Sequence, residues 1–191
     1  MNKYKVIAIC GKSAAGKDTL LKEIMKLENT NLHEIVSCTT RPPREGEVNG
    51  KNYYFFSVEE FLNKVNNNEM LEHTQFREWY YGTSLDSLQL NSINVGVFNV
   101  DGIERLYENS NIELYVIKVV ASDKTRLLRS LNREKNPDVH EIIRRYTTDE
   151  KDFEYFYGEN CVVVNEDDSK LYDAARAVLI YAQDFWAKET N

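Results

Sequence analysis

The chain has 191 residues, of which 42% are hydrophobic and 29% are charged, so it is long enough for one domain with a full core. Its 31 acidic and 24 basic side chains give a net charge of −7, which does not favour nucleic acid or an anionic membrane as a partner. The composition therefore indicates a globular protein in which a phosphate ligand needs a local basic pocket.

The sequence indicates a reducing compartment. No apolar stretch approaches the roughly 20 residues that span a bilayer, and Met1 to Gly11 lacks the features of a secretory signal. Cys10, Cys38 and Cys161 have no metal-ligand spacing, and an odd number does not suit a disulfide framework. We expect a cytoplasmic protein, either a monomer or a homodimer.

Apolar runs alternate with amphipathic segments, which predicts an α/β fold. Lys5–Cys10 is rich in β-branched residues and precedes a glycine, as is typical of a strand buried on both faces, and a helix is predicted just after Gly16. The other core elements are strands at Val95–Val100, Ile112–Val120 and Cys161–Val164, helices from near Asp101 and Ser122, and a closing helix from Leu171 to Phe185.

The pattern changes between Ser37 and about Asn94, where short aromatic strands at Tyr53–Phe56 and Trp79–Tyr81 surround a helical segment at Val58–Val65. This change predicts an inserted subdomain. A second polar stretch, Asn132–His140, leads into an arginine-rich helix at Glu141–Tyr146 and is interpreted as a lid.

A phosphate-binding loop follows the first predicted strand. The segment G-K-S-A-A-G-K-D-T meets the G-x-x-x-x-G-K pattern between a strand and a helix. In such a loop, successive backbone amides point at the β-phosphate and the lysine reaches the β and γ oxygens. The predicted ATP-binding residues of this loop are Gly11, Lys12, Ser13, Ala14, Ala15, Gly16, Lys17, Asp18 and Thr19.

The residue after Lys17 is Asp18, where the loop pattern has a serine or threonine that coordinates magnesium. A carboxylate is a hard oxygen ligand, but it also adds negative charge near a triphosphate. Either Asp18 or Thr19 is therefore predicted to hold Mg²⁺.

The segment Val36–Phe56, V-S-C-T-T-R-P-P-R-E-G-E-V-N-G-K-N-Y-Y-F-F, closely resembles the guanylate kinase family. The family's T-T-R-x-x-R signature and the acidic residue, glycine and tyrosine after it occur at matching spacing, and the resemblance covers nearly the whole chain. It implies a P-loop NTPase-type parallel sheet flanked by helices, with an inserted mixed α/β nucleotide-monophosphate-binding subdomain and a helical lid. It also implies magnesium-dependent transfer of the terminal phosphate of ATP to GMP or dGMP.

The resemblance divides a single domain, residues 1–191, into three parts. The core comprises 1–36, 95–128 and 158–191, the acceptor-binding subdomain 37–94, and the lid 129–157.

A clamp for the acceptor phosphate is predicted at Arg41 and Arg44. These arginines flank Pro42 and Pro43, whose fixed φ holds the two guanidinium groups in the loop at low entropic cost. By resemblance, the hydroxyls of Tyr53 and Tyr81 donate to the same phosphate.

A guanine-selective pocket is predicted around Glu72. Guanine presents two donors beside one acceptor, so it needs a carboxylate opposite the donors and a hydroxyl opposite the acceptor. The segments that contain Glu72 and Thr83 resemble those with the family's base-contacting residues, and Ser37 supplies another hydroxyl.

Where the family has L-D-I-D or L-E-I-D, this chain has V-F-N-V-D-G, so either Asp101 or Asn99 takes the nucleotide-contacting position and one carboxylate is lost.

Three arginines are predicted to act from the lid. Arg129 and Arg133 lie four residues apart and would share a helix face, while Arg145 comes from the next helix. By resemblance Arg129 lies near the adenine, and Arg133 and Arg145 join Lys17 and Arg41 in stabilising the transferred phosphate. A shift of one residue in the alignment would exchange these roles with the neighbouring arginines, 126 and 144.

Two other functions are consistent with the pattern. One is a kinase of another nucleoside monophosphate or of a phosphorylated sugar, which the altered V-F-N-V-D-G segment allows. The other is an inactive guanylate-kinase-like module that binds phosphopeptides. Such modules typically have a degraded phosphate loop, whereas Gly11, Gly16 and Lys17 are intact here.

Overall fold

The protein is described by a computed structural model that covers residues 3–28, 30–44, 46–76, 78–133 and 135–189. The strands of the described chain are β1 (Tyr4–Cys10), β2 (Leu32–Glu34), β3 (Cys38–Thr39), β4 (Tyr54–Phe55), β5 (Met70–Phe76), β6 (Trp79–Ser84), β7 (Ile93–Val97), β8 (Ile112–Val120) and β9 (Cys161–Val164). Its α-helices are α1 (Lys17–Met25), α2 (Val58–Asn66), α3 (Val100–Glu108), α4 (Asp123–Asn132), α5 (Val139–Asp152) and α6 (Leu171–Glu189). None of these helices is both long and apolar enough to cross a membrane.

A five-stranded sheet has the strand order β2-β7-β1-β8-β9. The pairs β2–β7 and β8–β9 are parallel. Val6–Cys10 in the central strand is fully buried, which explains why its sequence is continuously apolar rather than alternating. Because loops at the carboxyl ends of parallel strands commonly bind ligands, the loop that follows β1 is a candidate binding site.

A second, four-stranded sheet has the order β4-β3-β6-β5 and mixes parallel and antiparallel pairs. Helix α2 contacts β5 and β6. Its Phe61 is fully buried, and the ring stacks on Tyr80 with 5.5 Å between centroids. Ser57 begins the helix by accepting a hydrogen bond from the amide of Glu60, whose carboxylate accepts one from the amide of Ser57.

The sequence predicted the end of β7 wrongly. Val95–Val100 was expected to be a strand, but β7 ends at Val97 and Val100 begins α3. Val100, Ile103 and Leu106 are buried at three-residue spacing, the pattern of a helix face, and this pattern overlaps the apolar run of the strand. Strands β2, β3 and β5 were not predicted.

The described chain divides into two compact units. One comprises Asn31–Gly96 and Asp101–Leu114 together with the start of β1, and the other comprises Ile7–Thr30, Val97–Val100 and the chain from Tyr115 on. The first unit contains the residues predicted to bind the acceptor nucleotide, except Asn99, the alternative to Asp101, which lies in the second. The second contains the phosphate loop and the three predicted lid arginines.

Two glycines make the phosphate loop possible. Gly11 has a φ of 147°, and a Cβ atom there would lie 2.2 Å from the carbonyl oxygen of Val119. Gly16 has a φ of 102°, and a Cβ atom there would lie 2.1 Å from Nδ2 of Asn165. Any larger residue at these positions would require the backbone of β8 or the Asn165 side chain to move.

Gly16→Ala is expected to lower the melting temperature more than Gly46→Ala. Both glycines have positive φ, 102° and 82°, so alanine is strained at either position by about 1–2 kcal/mol. Only at Gly16 would the added Cβ also collide with Asn165, because no described atom lies within 4 Å of the Cβ position at Gly46. Differential scanning calorimetry of both variants checks this, and equal melting temperatures would contradict it.

Candidate functional site

The phosphate loop connects β1 to α1 and surrounds the side chain of Lys17, the first residue of the helix. The ammonium group donates hydrogen bonds to the carbonyl oxygens of Gly11 at 2.8 Å and Lys12 at 3.2 Å. Burial lowers the pKa of Lys17, while the nearby Asp18 and Asp149 carboxylates raise it. A desolvated cation at a helix N-terminus attracts an anion more strongly than an exposed lysine would.

The last turn of α5 lies against this loop through two consecutive carboxylates. Asp149 accepts hydrogen bonds from the backbone amide of Ser13 at 2.7 Å and from its hydroxyl at 3.1 Å. Glu150 accepts one from Nζ of Lys12 at 2.5 Å. The loop and α5 are thereby connected by charge-assisted hydrogen bonds.

Arg126 on α4 is buried beside the same loop, with 1% of its side chain exposed. Its Nε donates to the carbonyl oxygen of Ser13 at 3.0 Å, and its two terminal nitrogens donate to Asp123 at 2.8 Å and Asp149 at 2.7 Å. The guanidinium also lies over the ring of Tyr146, 4.4 Å from its centroid. From sequence this arginine was only an alternative to Arg129, because nothing local indicates its burial or its partner 23 residues away.

The three lid arginines differ in their surroundings. Arg129 donates to the carbonyl oxygen of Asn165 at 3.1 Å and to Asp168 at 2.9 Å, next to the end of the loop. Arg133 is exposed at the C-terminal end of α4. Arg145 forms an ion pair with Glu141 at 2.9 Å. The structure therefore places Arg129 beside the loop and Arg145 one helical turn before Asp149 on α5.

Glu141 is the local partner of two lid arginines. Hydrogen bonds from Arg144 and then Arg145 lower the pKa of Glu141 to about 2. The carboxylate therefore stays ionised and holds both guanidinium groups along α5 at neutral pH.

The two candidate magnesium ligands lie in the first turn of α1. Asp18 is exposed, and Thr19 is half-buried. Both are hard oxygen donors, and the described residues contain no group of three or more His, Cys, Asp or Glu side chains arranged to hold a metal. Two oxygen donors suit Mg²⁺, which usually binds one or two protein groups together with waters and substrate phosphates.

Arg41 is the centre of the predicted acceptor clamp, and only 5% of its side chain is exposed. It donates to the carbonyl oxygen of Pro42 at 2.7 Å and to Oε1 of Glu47 at 2.8 Å. The other oxygen of Glu47 accepts the backbone amide of Arg44 at 2.7 Å. Glu47 thus orients both halves of the clamp, while the Arg44 side chain is exposed.

The two clamp tyrosines lie beside Arg41. The rings of Tyr53 and Tyr81 meet edge to face at 6.3 Å, and the Arg41 guanidinium lies 5.7 Å from the Tyr53 centroid. The hydrogen bond to Glu47 raises the pKa of Arg41, and the neighbouring Tyr81 phenol adds to this rise. The structure therefore brings together the arginine and both phenols predicted for one phosphate.

Glu72 and Thr83 face each other in the β5–β6 register. The Thr83 hydroxyl is fully buried and donates to Oε1 of Glu72 at 2.8 Å. Burial raises the pKa of Glu72, and the Thr83 hydrogen bond and the Arg105 charge partly offset this. Ser37 is half-buried just before β3, and its carbonyl oxygen accepts the amide of Tyr54 at 2.9 Å.

Arg105 was not predicted as a site residue. It lies one turn after Asp101 on α3, so both side chains project from one face of the helix. Its charge lowers the pKa of both Glu72 and His73, although burial is the larger cause for His73. The i,i+4 spacing from Asp101 is the sequence signal that could have identified it. Asp101 is exposed in the first turn of α3, and Asn99 precedes that helix.

Glu72→Gln is expected to make the stability of the chain less dependent on pH. A raised folded-state pKa means that ionising Glu72 costs the folded state more than the unfolded state. This penalty is absent below the ordinary glutamate range and develops as pH rises through the raised pKa. The unfolding free energy of the unmodified chain should therefore fall relative to that of the variant over this window.

Urea denaturation at a series of pH values measures this difference. Glu59→Gln, which removes an exposed carboxylate from α2, is the matched control for loss of one negative charge. A constant difference between the unmodified chain and Glu72→Gln across the window would show that the Glu72 carboxyl is not desolvated.

Comparisons with known proteins agree with this geometry. The family model described as guanylate kinase matches residues 3–180. The chain is 30% identical to the guanylate kinase of Campylobacter jejuni (strain RM1221) over 190 residues, which are 97% of this chain and 92% of that relative. It is 31% identical to the guanylate kinase of Clostridium tetani (strain Massachusetts / E88) over 182 residues, which are 93% of this chain and 85% of that relative.

A crystal structure of guanylate kinase from Anaplasma phagocytophilum has the same fold, with a TM-score of 0.68 and 22% identity over 96% of this chain and 88% of that one. This likeness confirms the predicted fold class, a parallel sheet flanked by helices with a second mixed sheet. The family match over most of the chain confirms the resemblance found in the sequence. The chain belongs to the guanylate kinase family.

Proposed function

We propose that this protein transfers the terminal phosphate of ATP to GMP or dGMP. The observation that carries the proposal is the half-buried Glu72 carboxylate, which accepts a hydrogen bond from the hydroxyl of the fully buried Thr83 in the unit that also contains the Arg41 clamp. A purine base with two donors matches an ionised, desolvated carboxylate, and membership of the guanylate kinase family supports the same substrate.

ATP is proposed to bind at the loop between β1 and α1. The backbone amides from Gly11 to Thr19 cradle the phosphates, and the Lys17 ammonium, now bonded to loop carbonyls, turns to the β and γ oxygens. Arg129, held beside Gly16 by Asn165 and Asp168, is positioned for the adenosine end.

The acceptor phosphate is proposed to bind Arg41, Arg44, Tyr53 and Tyr81. The Arg41 guanidinium is already fixed by Glu47, so little rotamer entropy is lost when a phosphate joins it. Arg44 adds a second fork-shaped donor from its exposed side chain, and the two phenols complete the set.

The guanine base is proposed to be recognised by complementary hydrogen bonds. Glu72 accepts the N1–H and the N2 amino group, Ser37 or Thr83 donates to O6, and Asp101 is the proposed carboxylate at the strand-end position. Adenine would place its N1, a hydrogen-bond acceptor, opposite the Glu72 carboxylate, which is also an acceptor. This mismatch costs about 1–3 kcal/mol for each unsatisfied group.

The transfer itself requires no covalent enzyme intermediate. An oxygen of the acceptor phosphate attacks the γ-phosphorus in line with the leaving β–γ bridging oxygen, so a bond forms to the acceptor as the bond to ADP breaks. Lys17, Arg41, Arg133 and Arg145 are proposed to stabilise the charge that is spread over the transferred group.

Magnesium is the proposed cofactor, and it would neutralise part of the triphosphate charge. Asp18 and Thr19 are the residues that would hold it, because both are oxygen donors in the turn that follows Lys17.

Residues 37–94 are proposed to bind the acceptor and residues 129–157 to act as the lid, as in the division predicted from sequence. The cytosol is the proposed compartment, since it keeps thiols such as Cys10, Cys38 and Cys161 reduced.

We expect rapid ADP release with GMP or dGMP as acceptor, and little with AMP, UMP, CMP or dTMP. A coupled assay with ATP and Mg²⁺ measures all six acceptors separately. Turnover only on a different acceptor would contradict the roles of Ser37, Glu72 and Thr83. No turnover, with tight binding of a phosphopeptide, would favour the inactive binding module.

Lys17→Ala is expected to reduce kcat by about a hundredfold or more without unfolding the protein, because it removes a charge that stabilises the transferred phosphate. Lys22→Ala is the matched control, since this lysine is exposed on the same helix. Steady-state kinetics and thermal unfolding of both variants check the prediction. A Lys17→Ala variant that retained most of its kcat would exclude the loop as the ATP site.

A further inference from the structure

Asp149 receives three hydrogen bonds that converge from the phosphate loop and its neighbour. They come from the Ser13 amide at 2.7 Å, the Ser13 hydroxyl at 3.1 Å and Nη2 of Arg126 at 2.7 Å. A backbone amide, a hydroxyl and a guanidinium are the donors that proteins present to phosphate oxygens. The Asp149 carboxylate therefore accepts hydrogen bonds from three donors that are suited to a phosphate.

We propose that Asp149 competes with a phosphate of ATP for Ser13 and Arg126. Bound ATP displaces the Asp149 carboxylate, and Arg126 then donates to the nucleotide as an additional phosphate ligand. This inference rests on the proposed function of the loop as the ATP site.

Two hydrogen bonds would hold the Arg126 side chain in place after Asp149 is displaced. Its Nε stays bonded to the carbonyl oxygen of Ser13 and its Nη1 to Asp123, so two of its anchors do not involve α5. It also lines a cavity of about 190 Å³ together with Gly11 and Lys12 of the loop. The guanidinium thus lies beside this cavity, and its Nη2, which now donates to Asp149, can donate to an incoming phosphate instead.

The position of Asp149, by contrast, is electrostatically unfavourable once a phosphate is bound. It lies in the last turn of α5, where the helix macrodipole disfavours a carboxylate, and its position depends on the donors at the loop. A phosphate at the Ser13 amide would repel the carboxylate, because two anions cannot share one set of donors without a large electrostatic cost.

The exchange would connect ATP binding to the lid. Arg145 lies one turn before Asp149 on α5, and Glu150 ties the same turn to Lys12. Releasing the last turn of α5 from the loop would therefore free the segment that contains a proposed catalytic arginine. Asp149 acts in this scheme as a positioning residue for the lid.

Isothermal titration calorimetry with ATP and Mg²⁺ tests the competition on the unmodified chain, Asp149→Asn and Glu154→Gln. We expect Asp149→Asn to bind ATP about tenfold more tightly. A neutral amide accepts weaker hydrogen bonds than a carboxylate, so the phosphate displaces it more readily from Ser13 and Arg126. Glu154→Gln removes an exposed carboxylate just beyond α5 and should leave the dissociation constant unchanged. In steady-state kinetics the tighter binding should appear as a lower KM for ATP.

Equal or weaker ATP binding by Asp149→Asn would overturn the inference while leaving the proposed function intact. An equal gain in Glu154→Gln would also overturn it, since the effect would then be one of net charge. An unmodified chain that binds no ATP would overturn the proposed function, and this inference with it.

Hydrogen–deuterium exchange on the unmodified protein gives a second test that needs no variant. Addition of ATP and Mg²⁺ should slow exchange at the loop amides and speed it in the last turn of α5, residues 149–152. If the loop is protected while exchange in that turn is unchanged or slower, Asp149 is not displaced and the inference fails.

Discussion

The cost of burying positive charge governs how this chain builds its proposed phosphate-binding sites. A guanidinium removed from water is costly unless a carboxylate and further hydrogen bonds accompany it. Arg41 is 5% exposed and is paired with Glu47, and Arg126 is 1% exposed and is paired with Asp149. These two buried arginines are therefore kept in place by acidic side chains of the protein itself.

The two pairs have different consequences for a ligand. Glu47 bonds both the Arg41 side chain and the Arg44 backbone within one short loop, so it can stay and orient the clamp while phosphate adds to the remaining donors. Asp149 comes from another helix and takes the Ser13 amide itself, so it cannot stay if a phosphate uses that amide. The same kind of ion pair thus serves preorganisation in one unit and, as we infer, competition in the other.

Lys17 meets the same cost by a third route. No carboxylate of the described residues is in hydrogen-bonding contact with it, and it donates instead to two carbonyl oxygens of its own loop. Such bonds are possible because Gly11 and Gly16 let the backbone fold around the ammonium at positive φ. The close approach of Gly11 to the Val119 carbonyl then fixes the loop to β8. The packing of the loop against β8 depends on Gly11, and the position of the Lys17 ammonium inside the loop depends on both glycines.

Local patterns predicted strands that are rich in β-branched residues. The bounds of β8 and β9 agree with the sequence prediction because Ile112–Val120 and Cys161–Val164 are β-branched runs with clear ends. Val100 was assigned to the wrong element because one apolar side chain satisfies both a strand run and the first turn of a helix. Strands as short as Cys38–Thr39 have too few residues to show a period of two.

Contacts between residues distant in sequence were harder to predict. The motif and the family resemblance predicted the loop, the clamp and Glu72 as site residues, and these stay predictions. They did not indicate the Arg126–Asp149 pair. An arginine on a helix usually indicates a solvated face, and no local pattern shows that α5 returns to the loop 23 residues later. Arg105 was missed for the same reason, because its effect on Glu72 arises only when α3 and β5 are folded.

The environment of Glu72 indicates how base selectivity would arise. Burial raises the pKa of Glu72 and so disfavours its ionised form, and the Thr83 hydrogen bond and the Arg105 charge partly offset this effect. A base that donates two hydrogen bonds compensates the desolvation cost, whereas a base that presents an acceptor leaves that cost uncompensated. Selectivity for guanine would therefore depend on keeping water away from Glu72. Water admitted near Glu72 would solvate the carboxylate whichever base was bound, and the difference between guanine and adenine would shrink.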